Sequence, residues 1–193
     1  MQLYLIRHPR PRAAHGICYG RLDVAVDATA AAAAESRVRE CIPAAVLRRA
    51  AIYTSPLSRC AGLARALAGP REVLVADDLI EMDFGAWEGR AWESVAEAEL
   101  DAWARDIWDY RPGRGESARA VAIRWQRWLG HLHEVRSGDT IAITHAGVIR
   151  VALERAGRLS ASDFPRVPIE FSSVHRLTIE PAPDGWQFAE ARA

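Results

Sequence analysis

The strongest constraint in this sequence is its alternation of short, largely apolar runs with longer stretches of helical composition. Leu3 to Ile6, Ala50 to Thr54, Glu72 to Ala76 and Thr140 to Thr144 read as strands. Between and after them lie helical stretches. An Ala-rich helix is expected from Ala28 to Cys41, started by Asp27, and another from Pro56 to about Ala68. Trp92 to Trp108 reads as one or two helices, Ser117 to Val135 as a long one after Gly-Glu-Ser, and Gly147 to about Ala156 as a last one. Ser173 to Glu180 and Trp186 to Ala189 alternate like a hairpin around Pro-Asp-Gly. This βα order with a β-rich end predicts a layered α/β fold. No linker or repeat interrupts it, so residues 1–193 are expected to form one domain.

In such sheets, sites form beyond the carboxyl ends of the strands. The first strand ends in Arg7-His8, the second in Ser55-Pro56-Leu57-Ser58-Arg59, and the fourth in His145-Ala146-Gly147. The last two segments each open a helix, whose first N–H groups and partial positive charge attract anions. Gly147 is expected to leave room for a ligand to approach the backbone. Taken singly, each His or Arg has a structural explanation. Together they form a pocket suited to a dianion such as phosphate. Ser55 and Ser58 are each placed either to donate to a phosphate oxygen or to cap the helix. A metal site of His8, His145 and Glu81 is conceivable by ligand type, but the adjacent arginines oppose it, so no metal is expected.

Composition narrows the alternatives. Lys+Arg and Asp+Glu each total 25, so there is no broad basic surface for nucleic acid or an anionic membrane. Lysine is absent, which excludes a Walker-type phosphate loop and Schiff-base chemistry and leaves every fixed side-chain cation as Arg. Cys18, Cys41 and Cys60 are odd in number and lack CxxC spacing. With no leader-like segment and no run long enough to span a membrane, they predict a soluble cytoplasmic protein. Trp103, Trp108, Trp125 and Trp128 have helix-face spacing that suits core packing better than base stacking.

The segments LYLIRHPRP, YTSPLSRC, LIEMDFGAWEG and ITHAGVIR resemble, in order, the four signature segments of the histidine phosphatase (phosphoglycerate mutase-like) superfamily. FGAWEG with its following Trp92 resembles the α-ribazole phosphatase branch more than the mutases. The resemblance implies a three-layer α/β/α fold with a mostly parallel central sheet. It also implies a metal-independent phosphomonoesterase that needs no cofactor and acts on a small phosphate ester, with α-ribazole 5′-phosphate a candidate. His8 would be the nucleophile that forms a phosphohistidine, with Arg7, Arg59 and His145 clamping the phosphate. Glu81 would be the proton donor, preferred over its neighbour Asp83. Gly20 and Arg21, in a run resembling the segment over the phosphate, are candidate substrate contacts, as is Ala146 at the helix start. Chemistry agrees with these roles: neutral imidazole is nucleophilic, guanidinium forks match phosphate oxygens, and a protonated carboxyl can serve the leaving alkoxide.

The pattern also breaks in places. Pro9 replaces the family's Gly, and Ala14 falls where the family has Asn, leaving Arg10, Arg12 or His15 as substitute donors. Two other readings follow: a phosphoglycerate mutase, or a catalytically weak phosphate- or partner-binding module. The oligomeric state is left open, a homodimer included.

Overall fold

A computed structural model of the chain describes residues 1–13, 15–135, 138–160, 163–164, 166–182 and 185–189. Six strands, β1 (Gln2–Arg7), β2 (Ala51–Thr54), β3 (Leu74–Val75), β4 (Thr140–Thr144), β5 (Val174–Ala182) and β6 (Gly185–Phe188), form one sheet in the order β3-β2-β4-β1-β5-β6. The pairings among β3, β2, β4 and β1 are parallel. β5 joins β1 antiparallel, and β6 folds back on β5 as the expected C-terminal hairpin. Pro183 and Asp184 of its proposed turn lie outside the described residues.

Successive strand side chains point to opposite faces, which divides the core in two. On one face Leu3, Leu5 and Ala142 pack with Trp125 and Leu129 of α5 (Ala118–Val135) and Val148 of α6 (Ala146–Arg155). On the other, Tyr4, Ile6, Ile141 and Ile143 meet α1 (Ala28–Cys41), α2 (Ala44–Arg49) and α3 (Ser58–Ala68) through Val38, Leu47 and Leu63. The result is a three-layer α/β/α sandwich. Burying each such aliphatic side chain contributes about 1.5–3 kcal/mol relative to exposure. Trp125 and Trp128 lie in the first core, their rings 5.1 Å apart, with Trp128 edge-on to Tyr53.

The differences from the sequence reading are local. α1 starts after Asp27 as expected, with Asp27 Oδ1 accepting the Ala30 N–H. α3 begins at Ser58, two residues beyond Pro56, because Asp23 Oδ1 accepts both the Ser58 N–H (2.8 Å) and its hydroxyl (2.7 Å). β3 shrinks to two residues at the sheet edge, where Val75 is 61% exposed. The Trp92–Trp108 stretch resolves into a 3₁₀ turn at Trp92–Ser94 and α4 (Glu97–Arg105). α2 has only six residues after Pro43, too short for periodicity to reveal.

A third, smaller core sits beside the sheet edge. Cys18, Trp87 and Val95 are buried there with Phe84, Trp92, Leu100 and Trp103 around them. Trp92 and Trp103 lie parallel, 6.1 Å apart. The segment after FGAWEG holds the Gly16–Cys18 strip through Cys18 N–H to Arg90 O (2.9 Å), Gly89 N–H to Cys18 O (2.7 Å) and Trp92 N–H to Gly16 O (2.8 Å). That aromatic module seats the loop that covers the strand ends.

Candidate active site

Strand register assembles the site. β1 and β4 pair with Arg7 level with Thr144, and β2 and β4 with Thr54 level with Ile143. His8, Ser55 and His145 therefore leave three adjacent parallel strands side by side. The His8 N–H donates to Thr144 O and the Ser55 N–H to Ile143 O, both at 3.0 Å. The two histidines are buried, with ring centroids 5.1 Å apart.

His8 Nδ1 lies 2.7 Å from the Pro9 carbonyl oxygen. A carbonyl can only accept, so Nδ1 carries the proton and Nε2 keeps the lone pair. Burial, then the Arg59 and Arg7 charges, lower the His8 pKa from 6.5 to about 3, outweighing the Pro9 hydrogen bond that raises it. His145 is pushed well below 6.5 by burial first, then by His8, Arg59, Arg124 and Arg7. Its Nε2 faces Ser55 Oγ at 2.7 Å and Cys60 Sγ at 3.4 Å. Both imidazoles are neutral at neutral pH.

This burial has a measurable consequence. Below pH 6.5 the unfolded chain protonates both histidines, whereas folded His8 stays neutral until about pH 3. Stability is therefore full above pH 6.5 and falls as the pH drops, by about 1.4 kcal/mol per pH unit for each histidine. Urea midpoints at pH 7, 6 and 5 should show that decline, with a shallower slope for His8→Ala. Parallel slopes for the two proteins would contradict it.

Two arginines, Arg59 buried and Arg7 half-buried, flank the histidines. Arg59, in the first turn of α3, donates to the carbonyls of Leu22 (2.7 Å) and Gly20, and its guanidinium stands 5.1 Å from the Tyr19 ring centroid. Arg7 donates to the Ile169 carbonyl and lies over the Phe171 ring, 3.7 Å from its centroid. Nε of each is buried and has no hydrogen-bond partner. Among the described residues, no carboxylate pairs with either guanidinium. The unpartnered Nε donors of two guanidinium groups beside a neutral imidazole suit an anionic ligand.

Glu81 is brought to the same edge. Its Oε1 accepts the Met82 N–H (2.9 Å) and the Gly147 N–H (3.1 Å) at the start of α6, while Oε2 has only a long 3.4 Å contact with Gly147 N. A Cβ on residue 147 would stand 2.4 Å from Glu81 Oε1. The absent side chain thus makes room for this carboxylate, where the sequence suggested room for a ligand. Asp83 instead accepts the Gly85 N–H (2.7 Å) and faces Arg21 at 3.9 Å. Ser55 touches His145, whereas Ser58 is taken up by Asp23.

The covering loop is tied down from below. Glu88 accepts the N–H groups of Arg21 (2.9 Å), Leu22 (3.1 Å) and Phe84 (3.0 Å). Gly20 has φ +35° and would place a Cβ 2.2 Å from Glu88 Oε1, so the clasp requires glycine. The Arg21 guanidinium is engaged inward, by the Glu81 carbonyl (3.2 Å) and Glu116 (3.1 Å). Glu116 is in turn forked by buried Arg124 at 3.0 and 3.2 Å.

Sequence reasoning missed Tyr19, Phe171, Glu88 and Glu116. Phe171 reaches His8, centroids 5.6 Å apart, because Ser172 turns the chain at φ 59° and donates its N–H to the Arg7 carbonyl. Tyr19 and Phe171 also wall a cavity of about 330 Å³ with Arg10, Pro11, His15 and Ile17. Arg12 is not among its lining residues, and Ala14 lies outside the described residues. Among the described residues no three His, Cys, Asp or Glu side chains gather around a metal position, and no helix is long and apolar enough to cross a membrane.

Fold and site together define an α/β protein whose sheet edge gathers two histidines, two arginines and a glutamate. The sequence pattern of the histidine phosphatase superfamily (branch 1) matches residues 3–192, and the chain belongs to that superfamily. It is 33% identical over 133 residues to a bifunctional protein of Mycobacterium tuberculosis, covering 65% of this chain and 36% of that protein. The chain thus spans about a third of the length of that relative. It is 28% identical over 110 residues to the adenosylcobalamin/alpha-ribazole phosphatase of Escherichia coli, 54% of each chain. A solved mycobacterial glucosyl-3-phosphoglycerate phosphatase shares the fold with a TM-score of 0.81 at 20% identity, over 97% of this chain and 96% of that one.

Proposed function

We propose that the chain is a metal-independent phosphomonoesterase that acts through a phosphohistidine at His8. The observation that carries this reading is the pair of unpartnered, buried guanidinium Nε atoms beside the lone pair of His8 Nε2. A phosphate dianion placed there gains charge-assisted hydrogen bonds from Arg7 and Arg59. His145 and Ala146, at the start of α6, are the further proposed phosphate contacts.

The steps balance as follows. His8 Nε2 attacks phosphorus as the P–O(ester) bond breaks, and the ring becomes cationic while Nδ1–H still donates to the Pro9 carbonyl. The leaving alkoxide takes its proton from the Glu81 carboxyl. Since Oε1 is occupied by two backbone N–H groups, Oε2 is the oxygen that carries it. Water then attacks phosphorus, Glu81 accepts the water's proton, and His8 leaves as neutral imidazole with inorganic phosphate released. The arginines stabilise the charge on the equatorial oxygens in both steps. Gly20 and Arg21 hold the covering loop and the Glu81 backbone in place.

Gly147→Ala follows from this geometry. Displacing the carboxylate should cost about 1–3 kcal/mol of stability and lower kcat at least about tenfold, with KM less affected. A Gly147→Ala protein with unchanged kcat would count against Glu81 as the proton donor.

The substrate class is a small phosphate monoester. The FGAWEG segment and the Escherichia coli relative make α-ribazole 5′-phosphate the first natural ester to try. The test of the activity itself is release of nitrophenol from p-nitrophenyl phosphate in the presence of EDTA. Turnover unaffected by the chelator supports the proposal. Binding of phosphate or vanadate without turnover of any ester would instead make the chain a phosphate-binding module.

A further inference from the structure

Tyr19 and Phe171, whose ring centroids lie 6.3 and 5.6 Å from that of His8, wall a cavity whose composition restricts what is attached to the phosphate. Its walls are apolar or aromatic (Pro11, Ile17, Tyr19 and Phe171), and its polar side chains are Arg10 and His15. Among the described residues no carboxylate lines it. The Arg10 guanidinium lies 4.7 Å from the Phe171 ring centroid, and the Arg7 guanidinium lies 3.7 Å from the same centroid. One ring therefore supports two cations, separated by no more than the sum of those distances. Arg10 is exposed and forms no ion pair among the described residues, whereas Arg7 is anchored on the Ile169 carbonyl and keeps a buried, unpartnered Nε.

We propose that this cavity receives the alcohol portion of the ester and that Arg10 binds a carboxylate on it. The inference rests on the phosphomonoesterase reading and narrows it to esters carrying a second anion near the phosphate. A single guanidinium matches a monoanionic carboxylate through two parallel N–H···O bonds, whereas a second phosphate would bring more charge than one arginine neutralises. Phe171 holds the fork at a set distance from Arg7, so the cavity measures the spacing between the two anions as well as their charge. A neutral nucleoside leaving group would fill the apolar walls and leave Arg10 without a partner.

The test compares phenyl phosphate with 3- and 4-carboxyphenyl phosphate, which share the ring and the scissile bond. In the wild-type protein the better carboxylated ester should exceed phenyl phosphate in kcat/KM by about tenfold. That ratio should fall to about one in Arg10→Met, with Arg10→Lys retaining only part of it, since an ammonium lacks the planar fork. Calorimetric binding of the same three esters to His8→Ala should show the same preference without turnover. A ratio near one in the wild type, or the same ratio in wild type and Arg10→Met, overturns the assignment of Arg10. Carboxylate-selective binding with no hydrolysis of any ester would leave the subsite standing and remove the phosphatase reading. Hydrolysis of all three at equal rates would do the reverse.

Discussion

His8→Ala is expected to lose at least about 10⁴-fold in kcat/KM on p-nitrophenyl phosphate while remaining folded. The loss is large because the imidazole is both nucleophile and leaving group, and no neighbour can substitute. His145 is the nearest imidazole, yet its Nε2 is held by Ser55 and Cys60. The fold should survive because β1 stays paired on both sides, with the residue 8 N–H still donating to Thr144. Replacing His8 also removes one buried group that resists protonation, so the variant should be less sensitive to acid than the wild type. Steady-state kinetics with circular dichroism at pH 7 checks both halves. A folded His8→Ala protein with more than a hundredth of wild-type activity would sink the assigned nucleophile.

Arg59→Met is expected to be nearly as damaging, for two separable reasons. The guanidinium is one of the two proposed to bind the phosphate, and losing such a donor costs about 10²–10³ in kcat. It also ties the Gly20 and Leu22 carbonyls to α3, so its loss frees the loop over the site and leaves two carbonyls unpaired. That adds about 1–3 kcal/mol of destabilisation. Arg59→Lys should recover little, because an ammonium cannot reach both carbonyls and still offer a third donor to phosphate. If Arg59→Lys restored activity to within about threefold of wild type, the forked geometry would be irrelevant and only charge would matter.

Much of this site was legible in the sequence because it sits where periodicity changes. His8, Arg59 and His145 each follow a run of strand character, and two of them open a helix, so an α/β reading places them at one edge without coordinates. Parallel register then does the rest, since a buried strand cannot slip without turning its apolar residues outward. Glu81 was found by its family segment, but its partner was not. The reason for Gly147 emerged only with the carboxylate in contact with its N–H. Tyr19 and Phe171 gave no local signal, because their positions depend on packing between segments far apart in the chain. Glu116 appeared in the sequence only as part of a helix-start signal, although it also joins Arg124 to Arg21 and, through it, to the Glu81 backbone. Ser58 showed the limit of cap reasoning: its helix start is stabilised by Asp23, thirty-five residues earlier.

The covering loop explains why the family pattern can break at Pro9 without disturbing the strand end. Pro9 contributes its carbonyl, which fixes the His8 tautomer, and that contribution needs no N–H. The residues after it line the cavity for the leaving group, where sequence differences change what is bound rather than how phosphorus is attacked.

The central claim is the covalent phosphohistidine, and acid-free trapping tests it most directly. The protein would be mixed with p-nitrophenyl phosphate, quenched in alkaline denaturant within milliseconds, digested and analysed by mass spectrometry. The account predicts a mass gain of one PO₃ group on the peptide containing His8, stable to alkali, labile to acid and absent from His8→Ala. Turnover with phosphate found on another residue, or with His8 never modified at any quench time, would contradict it.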